Sequence, residues 1–436
     1  MTILFNKALL LAKIEATFDQ DPNPDNVNDA FLVINPDFAP DITILERDNV
    51  RTSLSNDARA VGRKIGQITF QHEVRNNGDA SGATSPRLGV LLRGCGMLET
   101  QIDTPAESVF AFSSNAANVG VFNLTGTTAY VGTGQRKITL RITTGGGSGV
   151  AVGNFTSPAV SDLPLIDHTG TDEVTLTDAV EILLHDTTGA QIVGVTPDFL
   201  SDTPEAGDVY EFWIRPTGWL YTPRSENFES LTLYLYYPDD TGQSLLHKLT
   251  GARGTFDINA PGGNFGTFNF TFTGSYVAPA DVATPSGSVF ETQKPQQVEQ
   301  AALTVDDANF GEVVNLCAGS WTVDIANDVQ PRECVNEPNS FQGSLIVGRE
   351  PALGFDPEAV LEATHPFWAN LAAGNQIEWH AKIGTTKGNV VDMLARNVQY
   401  TGIGYGNRNN IRTYEIEGAL AAVTGDGDDE LELLFA

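Results

Sequence analysis

The chain has 436 residues, 41% of them hydrophobic and 18% charged, with 43 glycines and a formal net charge of −30. This length supports two or three domains with sizeable cores, and the composition excludes a disordered chain. The charge sets the protein against nucleic acid and anionic membranes as binding partners unless its basic residues are strongly segregated.

The first segment, MTILFNKALLLAKIEATF, has an apolar core of only residues 8–12 before Lys13 and Glu15. That is too short for a signal-peptide core or a membrane span, so the chain is expected to be soluble and kept in a reduced cytoplasm. Cys95, Cys317 and Cys334 agree, since they form neither a CxxC pair nor an even framework and suggest no disulfide scaffold or structural zinc site. Strands are predicted at 41–48 (DITILERD) and 65–74 (IGQITFQHEV), separated by the polar loop NVRTSLSNDARAVG at 49–62. A helix is predicted over 85–96 (SPRLGVLLRGCG), with Ser85 as N-cap, Pro86 at the first helical position and Gly94 as the stop.

Residues 104–217 are strand-rich, for example KITLRIT and VYEFWI, with turns at GGGSG (145–149) and TTG (187–189). They carry 13 Asp and Glu against 4 Lys and Arg, and are long enough for a separate small β-sandwich. LTLYLYYPDDTGQSLLHKLTGARGTFDI (231–258) then reads as a hairpin, because Pro238 presets φ for a turn and Gly242 accepts a positive φ. A strand at 265–273 (FGTFNFTFT) and a Pro-containing linker at 279–300 follow.

The rest of the chain repeats this order. A second helix, HPFWANLAAGNQ at 365–376, keeps the Pro-to-Gly spacing of the first, with Pro366 and Gly374 standing 280 residues after Pro86 and Gly94. Its preceding loop is NDVQPRECVNEPNS at 327–340, and the strands IEWHAKIG, NVVDMLARNVQYTG and IRTYEIEGAL follow. There Leu245, Leu246 and Leu249 fall on Val390, Val391 and Leu394 at an offset of 145. The change of offset places an insertion at 104–217. The reading is therefore all-β with few short helices: two tandem β-sandwich or barrel modules, 1–103 with 218–278 and 301–436, plus an inserted β-sandwich-like domain.

Catalytic patterns are absent. The six histidines are scattered without HExxH, and no GxSxG, GxxxxGK[ST] or strand-flanked GxGxxG occurs. No enzyme, cofactor or metal is indicated. The acidic turn at 424–430 (TGDGDDE) offers oxygen ligands for a cation, but an ordinary turn before the last strand explains it as well. Aromatics at 213–221 (WIRPTGWLY) motivate an alternative, a β-sandwich adhesin stacking rings on receptor carbohydrate, against the reading of a packed domain join. A duplicated module in one chain often replaces two subunits of a symmetric ring, so three chains would give a pseudo-sixfold ring.

Several stretches resemble the tail tube (major tail) proteins of long-tailed bacteriophages: KALLLAKIEATFDQDPNPDNVNDAFLV (7–33), ITILERDNVRTSLS (42–55), GVLLRGCGMLET (89–100), LLHKLTGARGTFDI (245–258), FTFTGSYVAP (270–279) and the acidic turn before the last strand. Residues 104–217 depart from the shorter members, which makes them a candidate outward decoration domain. The resemblance implies a structural virion protein whose hairpins join those of neighbouring subunits in a barrel around a channel. Trimeric or hexameric rings stack into the tube through which double-stranded DNA is ejected without specific binding. It further implies assembly in the host cytoplasm, location in the virion tail, tape-measure, tail-tip and terminator proteins as partners, and no membrane. On this reading the stacking contacts fall on Arg47, Asn49, Val50, Arg51, Asp328 and Arg332, with Arg63 also pairing to acidic neighbours. The channel-forming hairpins carry Leu233, Tyr234, Leu235, Tyr236, His247, Lys248, Glu378, His380 and Asp392.

Overall fold

Period-two alternation is the rule that builds this chain: Ile68, Phe70 and His72 are buried while Gln67, Thr69 and Gln71 between them are half-buried, and Phe268, Phe270 and Phe272 alternate likewise with Thr267, Asn269 and Thr271. The computed structural model describes residues 2–4, 6–50, 52–53, 55, 57–103, 106–113, 122–125, 130–157, 166–167, 173–177, 179–186, 188–199, 204–299, 302–307, 314–337 and 340–436. Nearly all regular structure is strand, as expected, and all named strand pairs are antiparallel.

The first half contains β1 (Leu9–Ile14), β2 (Ala30–Phe31), β3 (Ile34–Leu45), β4 (Ala60–Glu73), α1 (Leu88–Gly94) and β5 (Met97–Ile102). The intervening region contributes β6 (Ala106–Ser113), β7 (Phe122–Thr125), β8 (Arg136–Thr144), β9 (Val152–Ser157), β10 (Ile166–Asp167), β11 (Val174–Thr175), β12 (Ile182–His185), β13 (Gln191–Phe199) and β14 (Val209–Arg215). The chain returns as β15 (Gly218–Pro223), β16 (Leu231–Pro238), β17 (Gln243–Pro261) and β18 (Thr267–Ala283). The second half is β19 (Ala302–Asp307), β20 (Val314–Asn315), β21 (Ala318–Asp324), β22 (Asn327–Glu333), β23 (Phe341–Arg349), β24 (Ala352–Pro357), α2 (Phe367–Ala373), β25 (Gln376–Ile383), β26 (Val391–Arg408), β27 (Ile411–Leu420) and β28 (Glu432–Phe435).

Two runs of hydrogen-bonded neighbours have the same order. The first is β2-β1-β16-β17-β18-β4-β3; the second is β20-β19-β25-β26-β27-β24-β21. β17 and β26 are the long members of each run, and both are bulged where they change company, between Thr250 and Arg253 and between Tyr400 and Gly402. The runs join edge to edge through β17 and β21, with Asp257 opposite Asp324, Ile258 opposite Val323 and Pro261 opposite Ser320. One hydrophobic core, from Leu10 through Phe270 and Trp379 to Phe435, fills the space beneath both runs. The strand network does not close into a barrel among the described residues.

The intervening strands form a six-stranded sheet, β10-β9-β8-β14-β6 with β11 on β9, and a three-stranded one, β12-β13-β7. These enclose a separate core that includes Leu140, Phe155, Val193, Tyr210 and Phe212.

Local chemistry differs from expectation at three places. Ser85 does not cap α1: its hydroxyl donates to Glu99 Oε1 at 2.5 Å, and the helix opens at Arg87 without a side-chain cap. The first helix ends at Cys95 and Gly96, whose φ is +77°, because Gly94 lies inside the helix against Leu231, where a Cβ would meet the leucine Cδ1 at 2.5 Å. In α2, by contrast, Gly374 is the left-handed cap at φ 68°. Finally, the stretch read as a second polar loop is largely strand, since β22 occupies 327–333 and pairs with β23 as a hairpin.

Candidate functional site

Joined through the β17–β21 ladder, strands β3, β4, β18, β17, β21, β24, β27 and β26 make one eight-stranded sheet. One side of it is the core. The other side is open and polar: Gln67, Thr69 and Gln71 on β4; Thr267, Asn269 and Thr271 on β18; Thr255, Asp257 and Asn259 on β17; Thr322 and Asp324 on β21; and Glu415 and Glu417 on β27. None of these is basic. Where β26 crosses the face it contributes Gly402, Gly404 and Gly406, opposite Glu417, Glu415 and Thr413. A Cβ on Gly402 would lie 3.2 Å from Glu417 Oε2, so the glycines leave the carboxylates room to lie flat on the sheet.

Carboxylates crowd together at the junction of the two runs. Asp257 accepts from Asn269 Nδ2 at 2.5 Å, and Asp324 accepts from the Ala326 amide at 2.7 Å. Burial and the directly opposed Asp257 carboxylate push the Asp324 carboxyl above the usual range, against the amide bond. Like charges opposite one another cost stability.

The residues expected on the channel hairpins pack, wholly or in part, against other segments of the same chain. Leu233 and Leu235 point into the main core. Tyr234 and Tyr236 pack with Leu9, Leu11 and Leu246 on the opposite side of β16, under the 15–30 segment and Phe290. Tyr234 donates to Asp21, and Lys248 reaches the same carboxylate at 3.2 Å. His247 is half-buried, stacked on Phe38 with ring centres 4.3 Å apart, and burial lowers its pKa.

Glu378, His380 and Asp392 lie beneath the inserted domain. Asp392, 0% exposed, accepts from the Gln135 amide and from His380 Nε2, both at 2.7 Å, and His380 stands edge-on to Trp213. Lys137 of the insert bonds Glu211 at 2.8 Å, also bonds Asp306, and lies 3.8 Å from Glu378. Burial opposes the Lys137 charge, yet Glu378, Glu211 and Asp306 together raise its pKa. Burial pushes Glu211 up to about 7, although Lys137 pulls it down. Alongside, Arg215 bonds Glu432 at 2.7 Å, and the same carboxylate bonds Arg396. This polar join was legible only as scattered charges, because its members come from six strands.

The aromatic stretch at 213–221 is part of the same join. Trp213 is buried, and Tyr221 donates to Glu99 at 2.7 Å and stands edge-on to Phe435, so these rings are not a sugar platform. The terminal acidic turn is likewise occupied by protein partners. Asp428 accepts from Ser225 at 2.6 Å and Arg349 at 2.9 Å, and Asp429 accepts from the amides of Val423 and Thr424 at 2.8 Å.

The residues expected at ring-stacking contacts fall on two protrusions. Arg47, Asn49 and Val50 are exposed on the β3–β4 connection, where Asn49 donates to Asp57 at 2.7 Å; Arg51 lies outside the described residues. Asp328 and Arg332 are exposed on β22. Arg63 on β4 links the two protrusions, bonding Glu333 of β22 at 2.5 Å and Asp41 of β3 at 3.6 Å. Among the described residues no helix is long and apolar enough to cross a membrane.

Among curated proteins none matches this chain. A family model described as phage tail tube protein matches residues 6–436, which takes in both strand runs and the insertion. The chain therefore belongs to the phage tail tube protein family and is a structural component of a bacteriophage tail.

Proposed function

We propose that three copies of this chain close into a ring with pseudo-sixfold symmetry, and that stacked rings form the tube through which double-stranded DNA leaves the phage. The observation that carries this reading is the open face of the eight-stranded sheet, which is polar and acidic and has no lysine or arginine among the residues named above. Such a face repels phosphates, and Arg408, the next inward-alternating position of β26, is held by Asp356 at 3.3 Å and Glu358 at 3.5 Å rather than free to exchange for counterions, so DNA slides without sticking.

Spacing favours three chains. Strands lie about 4.8 Å apart, so eight span roughly 38 Å of circumference, and side chains occupy about 5 Å inside the backbone. One or two chains would leave a lumen narrower than a duplex of about 20 Å, whereas three give a backbone cylinder about 37 Å across and a lumen near 27 Å. The repeated strand order supports two tube modules, 1–103 with 218–278 and 301–436, derived from one ancestor. The insert at 104–217, packed on β25 and β26 on the far side of the core from the acidic face, suits an outward decoration domain.

The exposed β3–β4 connection and the β22–β23 hairpin, which carry Arg47, Asn49, Val50, Asp328 and Arg332, are the surfaces proposed to stack rings. Isolated surface ion pairs contribute under about 1 kcal/mol each, so the strength of stacking comes from repetition around the ring. Assembly in the host cytoplasm with tape-measure, tail-tip and terminator proteins follows from the same reading. Electron microscopy of the purified protein, with native mass spectrometry of the rings, is the test. Rings of three chains with a central channel are expected; six-chain rings would overturn the pseudo-sixfold arrangement, and absence of rings or tubes at high concentration would overturn the function.

A further inference from the structure

The junction between the two strand runs within one chain shows what each run does with its free edge. In the first run β17 ends the open-faced sheet, and in the second β26 holds the same place; at the other end β3 corresponds to β21. Matching the core-facing rows of the two runs gives a correspondence between their ladders. Phe256 pairs with Phe270 and Phe270 with Phe70, as Ile403 pairs with Ile416 and Ile416 with Phe355. Ile258 therefore corresponds to Tyr405, and Val323 to Phe38. Each of these edge strands is also bulged near the same place, between Ile34 and Asp37 on β3 and between Ala318 and Trp321 on β21, one position apart in this correspondence.

Inside the chain, β17 pairs with β21, and the turn after β17 seats against the second run: Gly262 donates to the Gly319 carbonyl at 2.8 Å and Gly263 to the Val298 carbonyl at 2.9 Å. The corresponding places on the other two edges have no partner strand among the described residues. β3 pairs only with β4, and β26 beyond Gln399 pairs only with β27. Ile258 is 0% exposed, whereas its counterpart Tyr405 is 56% exposed. Where the second run holds Val298 and Gly319, the first run has an open cleft of about 570 Å³ lined by Leu4, Asn35, Pro36, Phe38, Tyr237 and His247.

We infer that the cleft and the free β3 edge of one copy receive β26 and the β26–β27 turn of a second copy, with Tyr405 directly opposite Phe38. This rests on the ring reading and specifies how the ring closes. Register carried over from the internal junction sets Gly404 opposite Ala39 and Gly406 opposite Asp37, antiparallel. Charge is complementary as well, since Arg412 lies over the Tyr405 ring at the incoming turn and Asp37 lines the cleft. The contact is heterologous, cleft to turn, so it repeats around a closed ring and removes both exposed strand edges.

The test is disulfide trapping of the full chain with its accessible thiols removed (Cys317→Ser and Cys334→Ser) and carrying Gly404→Cys and Ala39→Cys together, since residues directly opposite across an antiparallel pair have Cβ atoms about 5 Å apart. On mild oxidation a reducible ladder of covalent oligomers ending at the ring size is expected, with none from either single variant. Tyr405→Glu, in a chain that keeps its circular dichroism, is expected to stay monomeric under conditions where the unsubstituted chain forms rings. Rings in micrographs without a ladder, or rings formed by Tyr405→Glu, would overturn this junction while leaving the tube function standing. Absence of rings from the unsubstituted chain would overturn both.

Discussion

Gly89, in the first turn of α1, shows how tightly single residues are held here. A Cβ at this position would lie 2.1 Å from the Tyr221 hydroxyl and 2.7 Å from Glu99 Oε1, so Gly89→Ala displaces a buried hydrogen bond that Tyr221 donates at 2.7 Å. Overpacking of this kind costs about 1–3 kcal/mol, and denaturant unfolding of the variant is expected to show it as a lower midpoint at unchanged slope. Asp324 gives a pH signature. Its carboxyl is raised by burial and by Asp257, so the protonated form favours folding; that contribution is present below the ordinary carboxylate range and is lost as pH rises through the raised value. Asp324→Asn is accordingly expected to raise the melting temperature at pH 7 and to leave it unchanged well below pH 4, the ordinary Asp pKa of about 3.9 being the reference.

Between elements, the join of the insert to β25 and β26 is polar and buried, and such joins are fragile when one partner is removed. Lys137→Met leaves Glu211, Asp306 and Glu378 together without the central ammonium. A loss of about 3–5 kcal/mol is expected by chemical denaturation, most of it from uncompensated charge. Glu211 is the opposite case. Because burial raises its pKa from 4.5 to about 7, its contribution is complete below 4.5 and disappears as pH passes about 7. Glu211→Gln, which copies the protonated state, is expected to be more stable than the unsubstituted chain at pH 8, the difference closing near pH 4.5 in a thermal melt. The helices, by contrast, were legible locally: Pro366 and Gly374 bracket α2 as their residue types dictate, while the misplacement of the α1 cap arose because Glu99, distant in sequence order from any capping motif, takes the Ser85 hydroxyl.

For the molecule as a whole, the acidic face of the eight-stranded sheet is the property to perturb. Replacing Glu415 and Glu417 by lysine puts two cations per chain beside the glycines of β26 without touching the core. Tubes of this variant are expected to retain duplex DNA at low salt and release it as ionic strength rises, whereas unsubstituted tubes retain none; a filter-binding salt titration reads the difference. Equal retention by both would remove the argument that this face lines the channel.

The sequence by itself determined the all-β class, the order strand, strand, helix, hairpin in both halves, the extra strand-rich stretch at 104–217 and the resemblance to tail tube proteins. Each of these depends on short-range alternation, turn residues and spacing. Which face of each strand is open was decided only by the tertiary structure. Tyr234, Glu378, His380 and Asp392 alternate in sequence as exposed residues would, but another segment of the same chain covers them, and a covering layer leaves no mark on the strand beneath. The acidic face likewise comes from eight strands brought together by the β17–β21 ladder, a contact between residues distant in the sequence, from Asp257 with Asp324 to Pro261 with Ser320, that no local pattern encodes.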